Sequence, residues 1–250
     1  MTEQGEPAPA PVEEGPLAQR LESKAWKTRV DAYEELAKLF EGGDEGAVEE
    51  YAENLPKLLK DSNVNAQDKA IEAASAFARK APTGTIARVA GAMMGVAVDK
   101  AFGQAKCKAK AQELAMLLIE AEAGEAVAEE LIKGVGHKQP KVAGAAAESL
   151  RTAVEAFGLR AIGQQGKAVV KLSVAMFDST NAAVRGEAKP IATELHKYMG
   201  AALRESFDNL RPAQQKDIDE AFAAAGKPAP TRKTRSAAAK AAAAAAAAAA

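Results

Sequence analysis

A small inward residue recurs along this chain at intervals that few folds allow. Ala32, Ala70, Ala111, Ala146 and Ala188 can be superposed, and the intervals between them are 38, 41, 35 and 42 residues. Around the first of them, Val30, Tyr33, Leu36, Ala37 and Phe40 fall at steps of three and four, the pattern of a helix with one buried face. Each unit reads as helix, short turn, helix. A period of about 40 residues holding two helices fits HEAT-type repeats better than the roughly 33-residue units of ankyrin or tetratricopeptide arrays. One pair cannot bury its apolar face, but stacked pairs share a continuous core. Five superposed pairs and a closing pair predict an all-α fold, an α-solenoid of six HEAT repeats. No stretch alternates with period two, so a sheet is excluded. The composition agrees: Ala is abundant and aromatics are 4%, which favours helix and close helix packing.

Punctuation along the chain sets the expected bounds. Residues 1–15 are rich in Pro, Gly and Glu and read as a disordered acidic N-terminus. The repeat domain is expected over 16–226, opening at Pro16, with Ser23 as the cap of the helix that holds Trp26. Pro56 breaks the next helix, and Asp61-Ser62-Asn63 supplies turn chemistry before another. Further helices are expected over about 85–102, 104–122, 125–133, 140–157, 159–177, 181–199, 201–210 and 212–225. Residues 227–250 read as a basic, Ala-rich linker or tail with five basic residues and no acid, and the run Ala241 to Ala250 reads as a stand-in that carries no function.

Chemistry is scarce. Neither His137, in a turn, nor His196, late in a helix, has a metal-ligand spacing, and both read as surface residues. Gly91, Gly95, Gly163 and Gly166 read as lying inside helices and form no phosphate loop. The single Cys107 excludes an intrachain disulfide and suits the cytosol or nucleus. Lys106, Lys108 and Lys110 around it would lower its thiol pKa slightly. No apolar run reaches the roughly 18 residues of a membrane span, and no signal peptide is read. We therefore expect no enzyme, no metal, no cofactor and no membrane partner.

What remains is a row of turns. In a solenoid the turns within the pairs emerge on one edge. That edge carries Trp26 with Lys27, then Asn63, Val64 and Asn65, then Lys106 with Lys108, Lys138 with Lys141, and Asn181 with Arg185. An aromatic end and a basic end suit a protein that is acidic along part of its surface, and Trp and Arg dominate interface energetics. Periodicity leaves two readings of Trp26 open, the first rung of the core stripe or an interface residue. Nucleic acid is disfavoured because the net charge is −1 and only Thr231 to Arg235 is densely basic.

The segment Leu17-Ala18-Gln19-Arg20-Leu21-Glu22-Ser23-Lys24-Ala25-Trp26-Lys27-Thr28-Arg29-Val30-Asp31-Ala32-Tyr33-Glu34-Glu35-Leu36 closely resembles the opening of the first TOG domain of chTOG-type microtubule polymerases. The likeness continues through Asp61 to Gln67 and Asp178 to Arg185, and covers roughly residues 16 to 225. The resemblance implies a flat paddle of six HEAT repeats whose turns bind an αβ-tubulin heterodimer. It implies that Trp26 contacts β-tubulin, that Val64, Asn65 and Lys106, with Lys108 close behind, serve the middle turns, and that Arg185 contacts α-tubulin. Lys138 and Lys141 both match the fourth turn, where Pro140 shifts the helix start. It further implies a module of a longer microtubule polymerase with tandem TOG domains or two chains, acting at plus ends, spindle poles and kinetochores. A generic HEAT scaffold that binds another protein is the alternative.

Overall fold

The computed structural model describes residues 13–249. The expected disorder over 1–15 therefore lies outside the described residues up to residue 12.

Each helix pair arises where an amphipathic stretch is cut by a turn. The first pair is α1 (Leu17–Leu21) with α2 (Trp26–Glu41). In the second, α3 (Glu45–Tyr51) and α4 (Leu55–Leu58), joined by a 3-10 turn over Ala52–Asn54, pair with α5 (Val64–Lys80). Then come α6 (Thr83–Val96) with α7 (Lys108–Leu118), α8 (Gly124–Val135) with α9 (Pro140–Phe157), and α10 (Gly166–Met176) with α11 (Ala182–Met199). A 3-10 stretch over Gly200–Phe207 and α12 (Pro212–Ala224) close the array, and α13 (Arg235–Ala249) follows. The second helices pack in series, α2 on α5 and onward to α12, as one layer, while α4, α6, α8 and α10 form the other. No strand occurs among the described residues. This is the all-α solenoid of six helix pairs expected from the repeat.

The register residues explain the spacing of the layer. Ala32, Ala70, Ala111, Ala146 and Ala188 are all at most 1% exposed. A methyl side chain at each contact lets neighbouring helices approach closely, with no rotamer freedom lost. Larger groups fill the space between contacts, such as Phe40 and Phe77, whose rings meet edge to face with centroids 5.4 Å apart.

Glycine is obligatory where two inter-repeat connections cross. A Cβ built on Gly124 would sit 1.9 Å from the carbonyl oxygen of Ala161, whereas one on Gly84 meets nothing. The first neighbour is backbone and cannot rotate aside. Gly124→Ala is therefore expected to cost about 1–3 kcal/mol or more through overpacking. Gly84→Ala should instead gain up to about 1 kcal/mol from helix propensity. Urea unfolding of both variants checks this, and equal midpoints would refute the crossing as a tight contact.

Several local expectations are corrected. Ser23 is not the cap of α2: Ala25 holds that position, and Ser23 Oγ instead accepts from the Ala25 N–H at 3.0 Å. Gly163 is not helical; its φ of 57° breaks the expected helix 159–177 into a 3-10 stretch and α10. The helix expected from residue 104 begins at Lys108, because 103–107 form turns. Cys107 faces inward, fully buried, with its thiol aimed at the Val64 carbonyl at 3.7 Å. Burial pushes its pKa up, against the lowering expected from nearby lysines. His196 is not a plain surface residue either, since its ring stacks on Phe222 with centroids 4.1 Å apart.

Candidate binding edge

The within-pair turns precede α2, α5, α7, α9, α11 and α12 and follow the successive repeats along one edge. All eleven residues named on that row lie at or beside these helix starts, with Asn63 capping α5. Trp26 and Lys27 open α2, Val64 and Asn65 open α5, and Lys106 and Lys108 flank Cys107 at α7. Lys138 and Lys141 bracket Pro140 at α9, while Asn181 caps α11 and Arg185 lies in its first turn.

Exposure resolves the ambiguity over Trp26. It is 36% exposed, while Ala32, Tyr33, Leu36 and Phe40 of the same helix are at most 2% exposed. The indole thus lies outside the stripe that fills the core, with the Lys27 ammonium 5.7 Å from its ring centroid. Val64 is 38% exposed at the next turn, another apolar side chain left uncovered.

The basic residues divide by their partners. Lys106 donates to Asn65 Oδ1 at 2.5 Å, so these two candidates tie the second and third turns together. Lys108 pairs with Glu148 at 2.9 Å. Asn181 is committed to the fold: its Oδ1 accepts from the Ala183 N–H at 3.0 Å and its amide donates to the Pro140 carbonyl at 2.9 Å. Arg185 is exposed and donates to the Ser179 carbonyl at 2.6 Å, which orients the guanidinium over its own turn. Lys138 and Lys141 are exposed and have no ion-pair partner among the described residues.

Arg29, one turn after Trp26, clasps Asp61 with two hydrogen bonds of 2.6 and 2.7 Å. Its other guanidinium nitrogen donates to the carbonyls of Ser23 and Lys24 at 2.8 and 3.2 Å. Asp61 also accepts from the Tyr33 hydroxyl at 3.0 Å and from the Asn63 N–H at 2.9 Å. The first and second turns are thereby locked to each other through one carboxylate that is only 2% exposed. Burial opposes ionisation of Asp61, but the hydrogen bonds from Arg29, the Asn63 amide and Tyr33 outweigh it and hold the carboxyl below its ordinary pKa. The signal in the sequence was the acid in the Asp61-Ser62-Asn63 turn, which is one residue more than capping alone requires.

No His, Cys, Asp or Glu group among the described residues could hold a metal ion. No described helix is long and apolar enough to cross a membrane. Fold and edge together define a HEAT-type solenoid that presents a row of turns with an aromatic at one end and cations towards the other. Residues 12–222 match the family described as XMAP215/Dis1/CLASP, TOG domain. The chain belongs to that family.

Relatives agree. Protein mini spindles of Drosophila melanogaster is 34% identical over 212 residues, covering 83% of this chain and 10% of that protein. Centrosomal protein 224 of Dictyostelium discoideum is 31% identical over 214 residues, again 83% of this chain and 10% of the relative. The chain thus spans about a tenth of the length of these relatives. Among solved structures, TOG3 of Drosophila melanogaster Mini spindles superposes with a TM-score of 0.71 at 24% identity, covering 86% of this chain and 97% of that one. A chain from work on tubulin recruitment and assembly by microtubule polymerases with TOG domain arrays superposes with a TM-score of 0.74 at 24% identity, over 86% of this chain and 48% of that one.

Proposed function

We propose that this chain binds the αβ-tubulin heterodimer along its row of turns, as one module of a longer microtubule polymerase. The observation that carries the reading is the uncovered indole of Trp26 at the first turn of a chain that belongs to the TOG family throughout its repeats. Trp26 and Val64 would bury apolar area against β-tubulin. Lys106, Lys138, Lys141 and Arg185 would meet acidic tubulin surface, with Arg185 on the α-tubulin side. Lys27, Asn65, Lys108 and Asn181 hold or border these groups. Apolar burial at one end sets the off-rate, and cations along the rest raise the on-rate and fix orientation.

A rigid paddle that fits curved, unpolymerised tubulin better than the straight lattice form would release it as it straightens, because a ligand shifts an equilibrium only through differential affinity. Tandem modules, on one chain or a dimer of chains, would raise the local tubulin concentration at a plus end. Spindle and spindle-pole work follows for the parent protein, in keeping with relatives named mini spindles and spindle pole body component alp14.

Co-elution of the purified chain with unpolymerised tubulin on a sizing column tests the reading. Absence of a complex at micromolar concentration and low salt would leave the generic HEAT scaffold as the better account. Arg185→Ala should weaken binding about two- to tenfold and flatten its salt dependence, as expected for an exposed interface charge. A change in thermal stability alone would count against an interface role for Arg185.

A further inference from the structure

The basic segment after α12 lies along the edge opposite the turns and crosses three repeats. The Arg232 N–H donates to the Ala156 carbonyl at the end of α9 at 2.9 Å. The Arg232 guanidinium bridges Glu113 at 3.0 Å and Glu120 at 2.9 Å, and lies 5.5 Å from the Phe157 ring centroid. Arg235 donates to the Ala78 and Ala81 carbonyls at the end of α5, at 2.6 and 2.7 Å. There it meets the unpaired carbonyls and negative dipole end of the helix. The Ser236 N–H donates to Glu122 Oε1 at 2.7 Å. Glu122 is the one non-glycine residue with positive φ among the described residues, at 72°. A residue held in that strained region marks a place where surrounding contacts over-determine the backbone.

Each of these polar contacts has the same polarity. The body contributes carboxylates and carbonyl oxygens, and the tail contributes guanidinium groups and N–H donors. A negative charge added to the tail would reverse that match. Ser236 is exposed, with Arg235, Lys233 and Arg232 one, three and four positions before it. Its hydroxyl lies 3.4 Å from that of Thr234.

We propose that Ser236 is a phosphorylation site for a basophilic Ser/Thr protein kinase and that its modification releases the Arg232–Ser236 strap from the second, third and fourth repeats. In the step, the Ser236 oxygen forms a bond to the γ-phosphorus of ATP, and the bond from that phosphorus to the β,γ-bridging oxygen breaks. The hydroxyl proton passes to the kinase's base and ADP leaves. The product carries about −1.5 to −2 charge at pH 7. That charge stands within a side chain's length of Glu122 and repels it. It also offers Arg232, Lys233 and Arg235 a closer anion than Glu113, Glu120 and the helix-end carbonyls. The strap is thereby drawn onto its own phosphate and off the body. The inference is independent of the partner proposed above, because both the modification and its readout involve only this chain.

The test incubates the full chain with ATP and the catalytic subunit of cyclic-AMP-dependent protein kinase, maps the phosphate by mass spectrometry and follows hydrogen exchange at the Arg232 amide. The expected result is phosphate on Ser236 and at least tenfold faster exchange at Arg232, with exchange in α2 and α9 unchanged. Ser236→Ala treated in parallel should keep full protection. The double variant Arg232→Ala, Arg235→Ala should exchange fast in the unphosphorylated tail without kinase. No phosphate on Ser236, or phosphate there with protection intact, overturns the proposal. So does loss of protection in kinase-treated Ser236→Ala, or retained protection in the double arginine variant.

Discussion

Trp26→Ala is expected to weaken binding of unpolymerised tubulin at least tenfold and to leave the domain folded. The magnitude follows from burial. A large aromatic that becomes buried in an interface commonly contributes about 2 kcal/mol or more, and tenfold corresponds to about 1.4 kcal/mol. The fold is spared because the core face of α2 consists of Ala32, Tyr33, Leu36 and Phe40, all at most 2% exposed, while Trp26 is 36% exposed. Trp26→Phe should recover part of the affinity, since a phenyl ring restores apolar area but less of it. The measurement is a titration followed by sedimentation or calorimetry, with the unfolding midpoint taken by circular dichroism because the variant lacks the chain's single tryptophan. Unchanged affinity would return the indole to a packing role, and a large drop in midpoint would do the same.

The repeat was legible because its constraint is simple. The second helix of each successive pair carries a small, fully buried residue at the same register, and Ala32, Ala70, Ala111, Ala146 and Ala188 record it in order. The position of the turns was legible for the same reason, and eleven candidate residues fall on one row. Their individual roles were less so. Asn181 has the right position, but its side chain is committed to capping α11 and to Pro140. Asn65 and Lys106 are partners of each other across about one repeat of sequence. No local pattern encodes such a pairing. Gly163 and Glu122 show the same limit, because their backbone conformations are imposed by neighbouring connections rather than by the residues alone. The tail is the extreme case. Arg232 meets Glu113 and Glu120 across more than a hundred residues, and a basic run read by composition looks solvated until the fold brings acids to it.

Asp61→Ala is the substitution expected to cost the most stability, about 3–5 kcal/mol, because it leaves the partly buried Arg29 guanidinium without its partner. Tyr33 and the Asn63 N–H lose their acceptor in the same change. Asp61→Asn retains an oxygen for the Asn63 amide and should cost less, about 1.5–3 kcal/mol, the value of hydrogen bonds to a charged group. The linkage sign is fixed by the direction of the shift. The carboxyl is held below its ordinary pKa of 3.8 in the folded state. Its contribution is therefore complete above the unfolded value and lost as pH falls through the lower folded one. Wild-type stability should fall over that acid range more steeply than that of Asp61→Asn, which has no charge there to lose. Urea unfolding between neutral pH and pH about 3 reads both effects. Parallel acid profiles for the two proteins would show that the clasp contributes no ionic stability. At neutral pH Asp61→Asn should also weaken tubulin binding although Trp26 itself is unchanged, because a guanidinium no longer fixed by two bonds to a carboxylate holds the Ser23 and Lys24 carbonyls less firmly, and the turn that presents the indole loosens.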